Sequence, residues 1–101
     1  MFARISTFKR SLENLDEGIV LLRDSILPRL EKQTGFEGVM VMADRANGVA
    51  YAITFWKREE DLAATKESGK QFAEMAAQLY DLQVEVGNCE VAFSTPLTLG
   101  A

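Results

Sequence analysis

An α+β domain, with two helices covering one face of a four-stranded antiparallel sheet, is the fold class this sequence predicts. Three observations carry the prediction. Strand-forming and helix-forming stretches alternate in the order β-α-β-β-α-β. The central pair, Val39–Ala43 and Val49–Trp56, is separated by Asp44-Arg45-Ala46-Asn47-Gly48, a polar loop ending in the Asn-Gly pair that tolerates positive φ and marks hairpins. Both members of that pair are apolar on both faces of the pleat, which an antiparallel sheet wetted on one side does not require.

The elements follow in order. Phe2 to Phe8 (FARISTF) alternates and is rich in β-formers, so it reads as strand one. Ser11 or Asn14 then caps a helix; Asn14 with Glu17 three residues on has the form of a capping box, and Asp16 adds first-turn acidity. Leu15, Ile19, Leu22, Ile26 and Leu30 form one apolar stripe on that helix. Pro28 cannot donate to the carbonyl of Asp24 and predicts a kink in the last third. Thr34-Gly35 ends the helix with a residue suited to a left-handed cap. After the hairpin, Glu59-Glu60-Asp61 places three acids in the first turn of a second helix. Leu62, Phe72, Met75, Ala76 and Leu79 continue it to about Tyr80. Gly69 interrupts that helix at about 1 kcal/mol relative to Ala, for a close packing contact or a local break. Val84 to Phe93 is the last strand, with Gly87 a candidate bulge. One domain thus spans residues 1–101, with 94–101 a loosely ordered tail.

This order is the split βαβ, or ferredoxin-like, arrangement. Right-handed crossovers put both helices on the same face of the sheet. The other face still carries Met40 and Met42 or their apolar neighbours of opposite parity, and leaving it wet at about 25 cal/mol per Å² would favour aggregation. A second copy, packed sheet to sheet, covers it with the fewest assumptions. A homodimer through the helix-free face is therefore expected.

Composition narrows the function. At 101 residues, 48% of them hydrophobic, the chain can build a real core. A net charge of −4 with scattered basic residues argues against a nucleic-acid partner. No stretch is long and apolar enough for a membrane span, and the lone Cys89 makes a reducing cytoplasm the expected location. The sequence holds no histidine, which removes the commonest ligand of zinc and haem and the usual catalytic base. No metal and no cofactor are expected. Cys89 reads as a small buried hydrophobe, since no His exists to activate it.

Gly35-Phe36-x-Gly38, Asp44-Arg45-x-x-Gly48 and Ile53-Thr54-x-Trp56 followed by an acidic helix start resemble the antibiotic biosynthesis monooxygenase-like family of the dimeric α/β barrel superfamily. The likeness runs from Phe2 to about Phe93. It implies a homodimer whose two sheets form a barrel, with a small pocket between sheet and helices in each subunit. Some members oxidise polycyclic phenols to quinones with O₂ and no cofactor; others degrade haem. The function so implied is a cofactor-independent monooxygenase-like protein acting on a small aromatic or polyketide-like substrate. The alternative is a non-catalytic small-molecule-binding or structural homodimer of the same fold.

Trp56 matches the tryptophan that members carry at the end of strand three, where it is either a pocket wall or a core residue. The quinone-forming pattern also has an Asn four positions before that Trp and a Tyr six after it; Ala52 and Leu62 stand there, and neither can exchange a proton with a phenol. Ala50, Ala52 and Thr54 leave either space for a ligand or close contact with a helix. The haem-degrading pattern needs a second Trp and a His, which the chain lacks. Candidate pocket walls are Trp56, Phe36, Phe72 and Tyr51, with Asn88 a further polar candidate. Arg4, on a central strand, must find a carboxylate or a ligand, because an unpaired buried charge is expensive. Glu90 and Glu85 are the candidate partners, and facing a pocket Arg4 would instead stabilise a substrate anion. Trp56, Arg4 and Tyr51 are the candidates for a catalytic role. A pocket of a few hundred Å³ is expected beside Trp56.

Overall fold

A computed structural model describes residues 1–97. Strand β1 (Phe2–Lys9) is the one on which the sheet is assembled, pairing antiparallel with β3 (Val49–Trp56) on one side and β4 (Gln83–Glu90) on the other. Strand β2 (Phe36–Asp44) adds to the outside of β3, giving the order β2-β3-β1-β4. This is the ferredoxin-like α+β sheet expected from the sequence. Its hairpin is closed by Asp44, whose carboxylate accepts the Asn47 backbone N–H at 3.2 Å and its side-chain amide at 2.8 Å. Gly48 follows at φ +66°, where a side chain would be strained.

The pairing register settles which side chains share a face. Arg4 is opposite Thr54 and Asn88, Ser6 opposite Ala52, and Phe8 opposite Ala50. With Trp56, Val39 and Val41 these stand under the helices, except Asn88, which is exposed on the edge strand β4. Ile5, Ile53, Met40, Tyr51 and Met42 have the other parity and form the helix-free face. Met42 is 45% exposed there.

Both helical connections depart from single helices. The first consists of α1 (Leu15–Leu21), a π-helical turn over Leu22–Ile26, and α2 (Leu27–Leu30). The expected disruption at Pro28 thus takes the form of a wider turn just before the proline, where Leu27 N–H reaches back to the Leu22 carbonyl. Asn14 makes no side-chain cap, contrary to expectation; Ser11 Oγ accepts the Glu13 N–H at 3.2 Å instead. The helix also stops at Leu30, before Thr34-Gly35. Gly35 serves the turn into β2 rather than the helix end: its φ is +80°, and a Cβ there would overlap the Asp61 carboxylate.

The second connection breaks at Thr65 into α3 (Glu59–Ala64) and α4 (Lys66–Leu79). Thr65 Oγ1 lies within hydrogen-bond distance of the Asp61 and Leu62 carbonyls, a local bond that competes with the helix ladder. Gly69 is therefore not the break; it lies inside α4 against Arg4. Gly87 is not a bulge either, since it pairs in regular register with Ile5. The irregularity falls instead between Phe36 and Gly38 of β2. Strand β4 ends at Glu90, short of the expected Phe93, and residues 91–97 carry no helix or strand. The last four residues of the expected tail, 98–101, lie outside the described residues. Cys89 is exposed rather than buried, because it stands on an edge strand on the helix-free side.

The core is the set Ile26, Leu30, Trp56 and Leu62, with Phe2, Phe36 and Phe72 packed against it. It occupies one end of the space between helices and sheet. Trp56, fully buried, is its centre.

Candidate functional site

Beyond Ile26 and Leu30, which belong to the core and also border the opening, the helices do not close onto the sheet. A cavity of about 150 Å³ remains, floored by Ser6, Phe8, Ala50, Ala52 and Thr54 and roofed by Leu15, Ile19, Leu22, Phe72 and Ala73. The floor follows from residue size. Ala50 and Ala52 are too short to meet the roof, so the apolar stripe of α1, expected as core, walls open space over its first half. The N-terminal helix α1 buries no residue at all, and Ile19 remains 37% exposed. Ser11, Leu12 and Asn14 border the same space. The wall is overwhelmingly hydrocarbon, as small-molecule sites generally are. Its volume is below the few hundred Å³ expected and close to that of an engineered cavity of about 150 Å³ that holds benzene.

Arg4 is the one charged side chain on this wall, and it is 4% exposed. Its Nη2 donates to the Leu62 carbonyl at 2.7 Å and its Nη1 to Thr65 Oγ1 at 3.1 Å. Both acceptors are neutral and both belong to the α3–α4 break. No ion pair to Glu85 or Glu90 forms: β1 directs Arg4 under the helices, while Glu85 has the opposite parity and Glu90 is exposed at the strand end. Burial without a carboxylate lowers the Arg4 pKa from the ordinary guanidinium value. The guanidinium passes directly beneath Gly69, where an added Cβ would lie 2.6 Å from Nη1. Thr65 and Gly69 are the functional-site neighbours that sequence reasoning did not assign. The helix-interior glycine was the only signal available for them.

The other candidates fall in different places. Trp56 does not border the main cavity. It borders an adjoining recess of about 10 Å³, shared with Arg4, Thr65, Gly69 and Phe72. Its Nε1–H donates to Thr54 Oγ1 at 3.0 Å, and the Arg4 Cζ lies 6.0 Å from its ring centroid. Phe72 lines both spaces. Phe36 packs edge-on against Trp56, centroids 5.6 Å apart, behind the recess and away from the cavity. Tyr51 is at the cavity border, but its register opposite Met42 and Thr7 puts the phenol on the helix-free face, so only its backbone can reach the space. Asn88 is exposed on β4 and borders neither space. Leu62 is buried in the core, whereas Ala52 is on the cavity floor. Among the described residues no group of three or more His, Cys, Asp or Glu could hold a metal ion.

The architecture has solved counterparts. A protein from Deinococcus radiodurans, provisionally named an antibiotic biosynthesis monooxygenase, superposes with a TM-score of 0.67 over 97% of this chain and 99% of its own, at 16% identity. The monooxygenase from the gene ActVA-Orf6 of Streptomyces coelicolor, in complex with nanaomycin D, superposes with a TM-score of 0.69 over 96% of this chain and 92% of its own, at 13% identity. The chain therefore has the antibiotic biosynthesis monooxygenase-like fold. In sequence it is similar to two uncharacterized proteins of Mycobacterium tuberculosis strain H37Rv. It is 28% identical to Rv2557 over 92 residues and 27% identical to Rv2558 over 92 residues, 91% of this chain in each case. The matched region spans about two-fifths of those relatives' length, 41% and 39%. No protein-family profile matches the chain.

Proposed function

We propose that the protein binds a small aromatic or polyketide-like molecule in the cavity between sheet and helices and oxidises it with O₂ without a cofactor. The observation that carries this reading is the cavity itself: a largely hydrocarbon space with one buried cation, in a fold that one solved monooxygenase shares with nanaomycin D bound. The chemistry closes without a reductant. When a phenol becomes a quinone, one atom of O₂ enters the ring, the other leaves as water, and the substrate supplies every electron. The residues on the wall then have to exclude water, hold the ring and stabilise charge.

Assembly belongs to the same reading. The helix-free face, with Met40, Met42, Tyr51, Ile53 and Phe55 partly or well exposed in one chain, is covered by a second copy, and the lone Cys89 suits a reducing cytoplasm. No helix among the described residues is long and apolar enough to cross a membrane. The test titrates single-ring, naphthol-like and anthrone-like phenols against Trp56, the single tryptophan, in an oxygen-electrode cell. A saturable fluorescence change with matching O₂ uptake is expected. Binding without uptake would leave the non-catalytic binding dimer, which the lack of a polar group at Ala52 and Leu62 favours. No response to any phenol would overturn both and leave a structural dimer.

A further inference from the structure

We propose that the cavity is built for a monoanion: a carboxylate or ionised hydroxyl on an apolar body of about one ring, with its oxyanion against Arg4 and its hydrocarbon toward Leu15 and Ile19. This rests on the reading of the cavity as a ligand site and names the class of ligand it selects.

A guanidinium carries five N–H donors in a fixed fork. In Arg4, Nη1 and Nη2 each donate to one neutral oxygen, and Nε donates to no described residue. Yet among the described residues no buried side-chain nitrogen or oxygen is left without a partner. Nε therefore borders open space, and the spaces Arg4 lines are the cavity and its recess. The same reasoning applies to Ser6, two residues along β1 on the same face. Its hydroxyl makes no hydrogen bond to a described residue although the side chain is buried and lines the cavity. Thr54 Oγ1 accepts from Trp56 and keeps its own proton. A cation and two hydroxyls thus meet at one end of a hydrocarbon chamber, and none of the described carboxylates pairs with the cation.

A buried guanidinium serving only as a strut is ordinarily matched to a carboxylate, because an uncompensated buried charge is costly. Here the structure does the reverse. It holds the cation in place with two neutral oxygens and a helix-interior glycine, and leaves the counter-charge open. An anion arriving in the cavity completes the pair. The chamber's volume of about 150 Å³ limits the body of that anion to about one ring without rearrangement of α1.

The probes are para-isopropylbenzoate and its neutral isostere para-isopropylbenzyl alcohol, titrated by calorimetry and Trp56 fluorescence on the full chain. The benzoate is expected to bind at least tenfold more tightly than the alcohol at low salt. Arg4→Met should erase that preference while leaving alcohol binding within about twofold, and Arg4→Lys should keep part of it. If Arg4→Met does not fold, the wild type alone decides through para-nitrophenol: its phenolate band should appear at lower pH when bound. Equal binding of benzoate and alcohol, or an unshifted phenolate titration, would reduce Arg4 to a strut and overturn the inference while leaving the ligand site standing. Failure of every probe to bind would overturn both.

Discussion

Replacing Gly69 by Ala should destabilise this protein, although the same change inside most helices stabilises. Alanine at a helix-interior position gains about 1 kcal/mol over glycine. At Gly69 the new Cβ would sit 2.6 Å from Arg4 Nη1 and 3.0 Å from both its Cδ and its Cζ. The first contact is the end of a flexible side chain, but the other two lie deeper, and the guanidinium is fixed by hydrogen bonds to Thr65 and Leu62. Displacing it loses two charge-assisted bonds, each worth about 1.5–3 kcal/mol. If about half of that is recovered by rearrangement into the cavity, the net cost is about 0.5–2 kcal/mol after the helix gain. Urea unfolding at one fixed protein concentration should show a lower midpoint with an unchanged slope. In an Arg4→Met background the clash partner is gone and Gly69→Ala should turn stabilising, by up to about 1 kcal/mol. The coupling across that double-mutant cycle is therefore about 2 kcal/mol. A Gly69→Ala protein more stable than wild type would refute the claim that the glycine exists to admit the guanidinium.

Three further outcomes follow from the same geometry. Thr54→Val keeps the shape of the side chain but strands the Trp56 Nε1–H, which is fully buried; a loss of about 1–3 kcal/mol and an altered Trp56 emission should be seen by thermal unfolding and fluorescence. Ala52→Leu fills the floor of the cavity, so phenol and benzoate responses should vanish while the unfolding midpoint moves little or rises; retained ligand binding would place the site elsewhere. Met42→Lys puts a charge on the helix-free face at the edge strand β2, and light scattering should find insoluble material rather than a folded monomer; a wild-type chain that is a stable soluble monomer would remove the dimer, with its expected interface above about 1,200 Å², from the reading.

How much of this was legible in the sequence depended on whether local chemistry or register decided it. The hairpin was readable because Asp44-Arg45-Ala46-Asn47-Gly48 encodes its own turn, and the strand order followed from handed crossovers. The break at Thr65 was not readable. It arises from a threonine hydroxyl back-bonding within the helix and accepting from a residue 61 positions away. Arg4 on a central strand calls for a partner, and the glutamates of β4 are the carboxylates the sequence offers it. Only the register shows that Glu85 faces the other side of the sheet. Tyr51 fails for the same reason, since parity relative to β1 cannot be counted across loops of unknown geometry, whereas Asn88 shares the parity of Arg4 but lies exposed on the edge strand β4, outside both spaces. Phe36 and Trp56, expected as pocket walls, instead pack edge to face in the core at one end of the helix–sheet space. The size of the neighbouring alanines then displaced the open volume away from them.

The wall chemistry bears on how any oxidation could begin. Among the described residues lining the cavity there is no Asp, Glu, Lys or Cys, and the Tyr51 phenol lies on the opposite face. A phenol must nonetheless lose its proton before it can give an electron readily to O₂. With no base in reach, the remaining device is the field of Arg4. A cation about 4 Å from an oxyanion contributes about 4 kcal/mol at an effective dielectric of about 20. That is equivalent to about three pKa units, enough to bring an ordinary phenol from about 10 to near neutrality before any solvent in the open cavity weakens it. The proton then leaves to water. This assigns the pH dependence to the substrate rather than to the protein. Across a series of ring-substituted phenols, the rising limb of oxygen uptake against pH should move with each phenol's own acidity and keep a constant offset below it. Arg4→Met should remove the offset and Arg4→Lys should shrink it. A limb fixed at one pH for every phenol would reveal a titrating group of the protein, and the assignment of the ionisation to Arg4 would fail.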